Sequence, residues 1–441
     1  MESQNTIVYA AYAVFNVMVA KEVNNLVLEP YMDEPFHIPQ AQAYCGGNWD
    51  VWDPKLTTPP GLYVLSVLLK KVFLFKCTVP ILPLYRSDRP PRTLLQPTLE
   101  SIVISAFPLA WFFSFLYYTE LGSVVFVLGT VLAAGRGAHL LAALHSTDMR
   151  RKRVQSKVSD NHPGRPLLYD PMALDASLSD IPTILSSGLY ALPSMMAIAW
   201  PYVMPIIGFA SFVFWNGGIV LGDKSNHVPA LHVPQIYYFT AFASCFGLPV
   251  LASTEGGVAR LAGDVLWRMF GGKWYPVFYL GKFNGTNGHL TLIRRSLITV
   301  TLIGFIMLSV HLFTIHHPFL LSDNRHYTFY VWRRVYLAHW LMPYILSPFY
   351  LAFAWAWFLR VGRYQTLLQT LLLPVCMLPT LLPTPLLEPR YFLVPYLLLR
   401  LQVLMPNKAV LAEAAWYGFI NWATMFVFLY MEREGVGRFM W

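Results

Sequence analysis

Long apolar stretches without a charged residue recur through this chain, at 195–220, 297–316 and 366–382 among others, and they restrict its fold more than any other feature. Only 12% of the residues are charged and 56% are hydrophobic, whereas a soluble domain carries roughly 25% charged residues. So little charge cannot cover a water-facing surface, so most of the surface must face lipid. Inside a bilayer the backbone has to satisfy its own hydrogen bonds, which leaves helices or closed barrels. The apolar stretches are continuous and do not alternate, so the expected class is an all-α polytopic membrane protein.

Spans of roughly 20 residues are the expected unit. Candidates lie at 7–27, 61–77, 101–118, 121–145, 195–220, 235–252, 297–316, 341–359, 366–382, 391–404 and 410–430, a bundle of about eleven. The stretch 184–220 offers a bent hairpin at Pro201 as an alternative. The net charge of +9 sits in short runs between spans, such as Arg86, Arg89 and Arg92, and Arg150, Arg151, Lys152, Arg153 and Lys157. A nucleic-acid binder gathers such charge on a soluble face; here the pattern is positive-inside. Loops 78–98, 146–180 and 253–296 are therefore expected in the cytosol. Loops 29–60, 221–234, 316–338 and 383–390 then share the opposite side, the lumen of the endoplasmic reticulum. This divides the chain into an N-terminal membrane module at 1–145 carrying the loop 29–60, a basic linker at 146–180 and a C-terminal membrane module at 181–441.

Cys45, Cys77, Cys245 and Cys376 are scattered, so neither a disulfide framework nor a zinc site is expected from their spacing. The apolar stretch 6–20 has no basic region before it and no small-residue cleavage site after it, and is expected to be a retained anchor. The sequon Asn284-Gly285-Thr286 falls on the cytosolic side and should carry no glycan. No internal repeat is visible, which weakens transporter folds built from duplicated halves.

Five polar groups fall on the expected lumenal side. The richest is 31–44, where Asp33 and Glu34 precede His37, Gln40 and Gln42, a base beside partners for sugar hydroxyls. Pro35 suits the first position of a helix, which makes Glu34 the candidate cap and leaves Asp33 unneeded for it. In 49–61, Trp52 suits stacking on a sugar face or anchoring at the headgroups, and Lys55 suits either a phosphate or snorkelling. In 215–227 three glycines permit close backbone approach, Asp223 adds an acid, Lys224 with His227 suits an anion, and His232 follows. In 316–327 Asp323, Arg325 and His326 follow the pair His316-His317, whose spacing does not suit a metal. Glu388 and Arg390 stand at the mouth of a span, as a neutralised pair or as ligand contacts.

The segments 31–44, 55–63, 216–227, 323–331, 388–396 and the end Arg438-Phe439-Met440-Trp441, with the runs GGIVLGDKSNH and DNRHYTFYVWRR, resemble the family of dolichyl-phosphate-glucose alpha-1,2-glucosyltransferases from end to end. The resemblance departs after about residue 140, where a membrane segment of the family is missing. It implies a GT-C glycosyltransferase fold and an inverting transfer of glucose from dolichyl phosphate glucose. The acceptor it implies is the diglucosylated lipid-linked oligosaccharide of N-glycosylation. Under that resemblance Asp33 is the general base with Glu34 behind it. Lys224, His227 and Arg325 hold the donor phosphate, with Lys55 and His326 in weaker roles. No nucleotide or tightly bound cofactor is required, and a divalent ion is compatible with the scheme. The rival readings are a transporter or flippase for a lipid-linked or anionic solute, and a structural membrane subunit.

Overall fold

The computed structural model describes residues 2–73, 98–135, 168–224, 228–254, 256–271 and 288–441. Among the described residues the chain is helical, with three isolated bridges in place of strands. Three helical runs are long and apolar enough to cross a membrane: Ile181–Asn216, Leu292–Phe313 and Met342–Gly362. Shorter apolar helices follow at Glu120–Ala134 and Leu367–Leu381. The backbone divides into two compact units, Met1–Pro171 with Asp175–Val228, and Met172–Leu174 with Pro229–Trp441.

The first unit opens with α1 (Glu2–Leu26), followed by α2 (Glu34–Cys45) and α3 (Gly61–Phe73). The span expected over 101–118 is corrected: a capping box between Thr98 and Ser101 starts α4 (Leu99–Ser105), the helix stops at Ala106, and Pro108 opens α5 (Pro108–Phe113). Two helices this short do not cross a bilayer, and nearly every side chain from Ser101 to Tyr118 is buried in protein. This knot packs on α1, where the Trp111 indole donates to Asn16 Oδ1 at 2.6 Å. The helix α6 (Glu120–Gly135) follows. The stretch around Pro201 is α7 (Ile181–Ala199) and α8 (Val203–Asn216), joined by a single 3-10 turn.

The described residues of the span expected over 61–77 form the helix α3. The buried face of α3, Leu62, Tyr63 and Val67, forms one cluster with Ala41 and Tyr44 of α2 and with Tyr117, and Lys70 donates to the Cys45 carbonyl at 3.1 Å. The described part of α3 thus packs on α2, and the last four residues of the expected span, 74–77, lie outside the described residues. Cys45 is disulfide-bonded whereas Cys245 and Cys376 are free, a disulfide that the cysteine spacing did not lead one to expect.

The second unit is built from α9 (Pro234–Phe246), α10 (Leu248–Ala252), α11 (Gly257–Phe270), α12 (Gly288–Phe313), α13 (Pro318–Ser322), α14 (Tyr327–Val331), α15 (Met342–Ile345), α16 (Ser347–Gly362), α17 (Leu367–Leu381), α18 (Leu393–Leu401) and α19 (Asn407–Tyr430). The span expected over 235–252 breaks at Gly247, with Pro249 in the first turn of the next helix; a Cβ at Gly247 would lie 2.5 Å from the Trp357 ring. The span expected over 391–404 is a 3-10 turn and the nine-residue α18. One buried ion pair lies inside this unit: Arg400 forks onto Glu413 at 2.7 and 2.8 Å with both side chains at 1% exposure or less. The buried Arg360 guanidinium binds the Val250 and Leu404 carbonyls at the ends of α10 and α18. Breaking one partner of such a buried pair costs about 3–5 kcal/mol.

Candidate functional site

The turn that leads into α2 is held in an unusual shape. Met32 has φ of +58°, a left-handed conformation that a side chain of this kind adopts only when its surroundings enforce it. Glu34 enforces it: its Oε2 accepts from the Tyr31 N–H at 2.9 Å and its Oε1 from the Tyr117 N–H at 2.7 Å. Burial pushes the Glu34 carboxyl above the ordinary carboxylate range, and these two N–H groups oppose that shift. The expected cap is corrected by one residue. Asp33 occupies the N-cap position without a side-chain capping bond, and Glu34 lies in the first turn. The Asp33 N–H donates to the Tyr118 hydroxyl at 3.1 Å, and its carboxylate is half-buried. The helix thus starts one residue earlier than the sequence suggested, with Asp33 at the N-cap position and Glu34 bonded to backbone N–H groups.

Beyond α2 the chain doubles back along the helix. Gln40 is buried and uses both ends of its amide on this return, donating to the Val51 carbonyl at 2.7 Å and accepting from the Asp53 N–H at 2.9 Å. His37 is buried with Nδ1 2.7 Å from the Tyr63 hydroxyl. Gln42 is exposed. Trp52 is half-buried with its ring edge-on to Tyr63. Lys55 is exposed, its ammonium 4.9 Å above the Phe36 ring centre.

The glycine-rich group joins this return loop. The Leu221 N–H donates to the Thr57 carbonyl at 3.1 Å and the Asp223 N–H to the Pro54 carbonyl at 3.0 Å. Gly222 makes that approach possible, since a Cβ there would sit 2.1 Å from the Pro54 oxygen. Asp223 follows at φ of +42°. Asn216 closes the turn by donating to the Gly218 and Val220 carbonyls at 2.9 and 2.7 Å. Lys224 is exposed and donates to the Asn216 carbonyl. Lys55 and Lys224 thus each stand one residue from the same interloop hydrogen bond. His227 lies outside the described residues, as do the sequon at 284–286 and most of the basic linker.

In the second unit the fourth and fifth polar groups line one pocket of about 210 Å³. Arg325 forks onto Asp323, Nε to Oδ1 at 2.9 Å and Nη2 to Oδ2 at 2.7 Å. Burial raises the Asp323 carboxyl, but the Arg325 guanidinium and backbone N–H outweigh it and the net shift is downward. His326 Nε2 lies 3.9 Å from Asp323 Oδ2. Its Nδ1 lies 2.8 Å from the Trp441 backbone oxygen, which only accepts, so this nitrogen carries the proton. Glu388 receives Arg390 Nε and Nη2 on Oε2, at 2.8 and 2.6 Å. The neutralised-pair reading of Glu388 and Arg390 is the observed geometry. Arg325 is likewise a paired cation and not an open one. Trp441 completes the wall, a position that sequence reasoning matched to the family pattern without giving it a role. Among the described residues no group of three His, Cys, Asp or Glu is arranged to hold a metal ion.

Comparison with known proteins adds the chemistry. The DIE2/ALG10 family matches residues 27–148 and 146–401, two pieces that meet near residue 147. A relative from Mus musculus is 30% identical, covering 94% of this chain and 93% of its own length. One from Arabidopsis thaliana is 31% identical over 95% and 96%, and one from Drosophila melanogaster is 34% identical over 91% and 90%. Each of the three is named Dol-P-Glc:Glc(2)Man(9)GlcNAc(2)-PP-Dol alpha-1,2-glucosyltransferase. The mouse alignment runs over 475 positions and so exceeds the 441 residues of this chain, so the relative carries residues with no counterpart here. No solved structure matches the chain with significance.

Proposed function

The chain belongs to the DIE2/ALG10 family, and from that premise we propose that it transfers glucose from dolichyl phosphate glucose to the Glc(2)Man(9)GlcNAc(2) lipid-linked acceptor, forming an alpha-1,2 bond. The observation that carries this reading is the shared name of relatives that align over nine-tenths or more of both chains. The architecture it takes is a GT-C bundle of about eleven spans, with its catalytic loop in the lumen of the endoplasmic reticulum. The disulfide at Cys45 supports the lumenal side for that loop, because disulfides persist in oxidising compartments.

The chemistry asked of the protein is modest, because a glycosyl phosphate already carries a leaving group. An acceptor hydroxyl oxygen attacks the anomeric carbon while the bond from that carbon to the phosphate oxygen breaks. The electron pair departs with dolichyl phosphate, and a base removes the hydroxyl proton. We assign that base to Asp33, whose carboxylate is half-buried and not used as a cap. Glu34 is assigned the positioning of the turn, since both of its oxygens hold backbone N–H groups. One carboxylate serves inversion; retention by double displacement would need a nucleophile as well.

The donor phosphate is assigned to Lys224 and Lys55, the two exposed ammonium groups on the joined loops 54–57 and 221–224, with His227 beside Lys224 in sequence. An unpaired cation is what a phosphate requires, which favours these lysines over Arg325. No resident metal or cofactor enters the scheme. The reading is tested by removing the gene and identifying the lipid-linked oligosaccharide that accumulates. A diglucosylated species is expected; accumulation of a fully glucosylated or an unglucosylated one would overturn the assignment.

A further inference from the structure

The pocket in the second unit differs in kind from a phosphate site. Each of its acidic side chains is matched by a guanidinium, Asp323 by Arg325 and Glu388 by Arg390. The cations are therefore committed, and a phosphate entering there would have to displace a carboxylate from a guanidinium. The side chains of Asp323, His326, Glu388 and Arg390 nevertheless remain 21–26% exposed, so they still present hydrogen-bonding atoms. Both bonds from Arg390 land on Glu388 Oε2, and Oε1 has no protein partner among the described residues. His326, protonated at Nδ1, keeps Nε2 as an acceptor when neutral. Aromatic carbon from Phe319 and Trp441 lines the same space.

The chain end is built into this wall. Met440 donates its N–H to the Arg325 carbonyl at 3.0 Å and accepts from the Tyr327 N–H at 3.1 Å. Phe439 and Met440 are buried. Arg438 donates to the Phe428 and Leu429 carbonyls at the end of α19. Trp441 is held with its ring against Tyr327 and Phe246, centroids 5.0 and 5.5 Å apart. A ring fixed in this way offers contact area at little entropic cost.

From these observations we propose that the pocket binds a neutral hexose unit, not the phosphate of the donor, and that Trp441 is a specificity-determining residue for the sugar end of the acceptor. Paired charges with spare acceptor atoms match a ligand that carries hydroxyls but no net charge, and the aromatic wall matches the apolar face of a pyranose. The role of that hexose as the acceptor terminus rests on the proposed glucosyltransfer; the neutrality of the ligand does not.

Two measurements separate these layers. In the first, the full chain in nanodiscs is probed by saturation-transfer NMR with methyl alpha-glucoside and, separately, with glucose 1-phosphate. The neutral glycoside should bind, adding glucose 1-phosphate should not displace it beyond what its sugar ring alone explains, and Trp441→Ala should abolish the signal. Preferential binding of the phosphate, or a glycoside signal unchanged in Trp441→Ala, would overturn the pocket assignment whatever the enzyme does. In the second, transfer is measured while donor and acceptor are titrated in turn. Trp441→Phe, which keeps an aromatic ring, should raise the acceptor KM roughly three- to tenfold, the loss from one weakened contact, and leave the donor KM unchanged. Trp441→Ala should raise it further. A rise in donor KM, or no change in either, would overturn the specificity role. Should the wild-type chain transfer no glucose at all, the glucosyltransfer reading fails while the NMR arm still judges the pocket.

Discussion

The hairpin of the first unit and the pocket of the second are both rich in charge, but they use it differently. In the hairpin the polar side chains are turned onto backbone: Glu34 on the Tyr31 and Tyr117 N–H groups, Gln40 on Val51 and Asp53. Asp33 makes no side-chain capping bond there, and the Lys55 and Lys224 ammonium groups are exposed. In the pocket the side chains are turned onto one another, carboxylate to guanidinium. Exposed ammonium groups suit phosphate binding; closed pairs suit recognition of something uncharged.

This contrast is broken most directly at Asp33. Asp33→Asn should lower kcat by about 10²–10⁴-fold, the usual contribution of a general base, with unchanged expression and melting. Near-normal turnover would move the base elsewhere and erase the difference between the two acids. Glu34→Gln, by contrast, should lower thermal stability along with kcat, because it weakens the bonds that hold Met32 in its left-handed turn.

A second test sets the open cation against the closed one. Lys224→Met should raise the donor KM roughly tenfold, the loss of one charge-assisted contact. Arg325→Met should leave the donor KM in place and raise the acceptor KM, since it uncovers Asp323 in the pocket. If the two variants behave alike in donor titrations, the distinction between open and paired charges is wrong.

Gly222→Ala probes the joint between loops 54–57 and 221–224. The added methyl meets the Pro54 carbonyl, so about 1–3 kcal/mol of stability should be lost to overpacking, read as a lower melting temperature with a raised donor KM. Wild-type behaviour would show that the loops need not touch.

The smallest effect concerns pH. Burial holds the His232 imidazole down to about 4 from an ordinary value of 6.5. Between those values the unfolded chain binds more protons at this site than the folded one, so stability should fall as pH drops from 6.5 toward 4 and be flat above it. His232→Gln should flatten that part of the melting profile; an unchanged slope would assign the dependence to other groups.

Much of this was legible in the sequence. The scarcity of charge identified a helical membrane protein, and the segments 31–44, 216–227, 323–331 and 388–396 marked the polar groups before any fold was known. Three things were not legible, each because a distant contact decided it. The stretch 101–118 is as apolar as a span, yet it is two short helices buried in protein, since hydropathy cannot distinguish lipid from a protein interior. The register of the α2 cap depended on the Tyr117 N–H, 83 positions away from Glu34. The wall at Trp441 depended on the chain end pairing with Arg325 and Tyr327. Local patterns carried residue types; long-range hydrogen bonds assigned their roles.

The most direct test is reconstitution of the purified wild-type chain in nanodiscs with labelled dolichyl phosphate glucose and the Glc(2)Man(9)GlcNAc(2) lipid-linked acceptor, followed by linkage analysis of the product. The account predicts one added glucose in an alpha-1,2 bond. No transfer under conditions where the protein is folded, or transfer in another linkage, would contradict it.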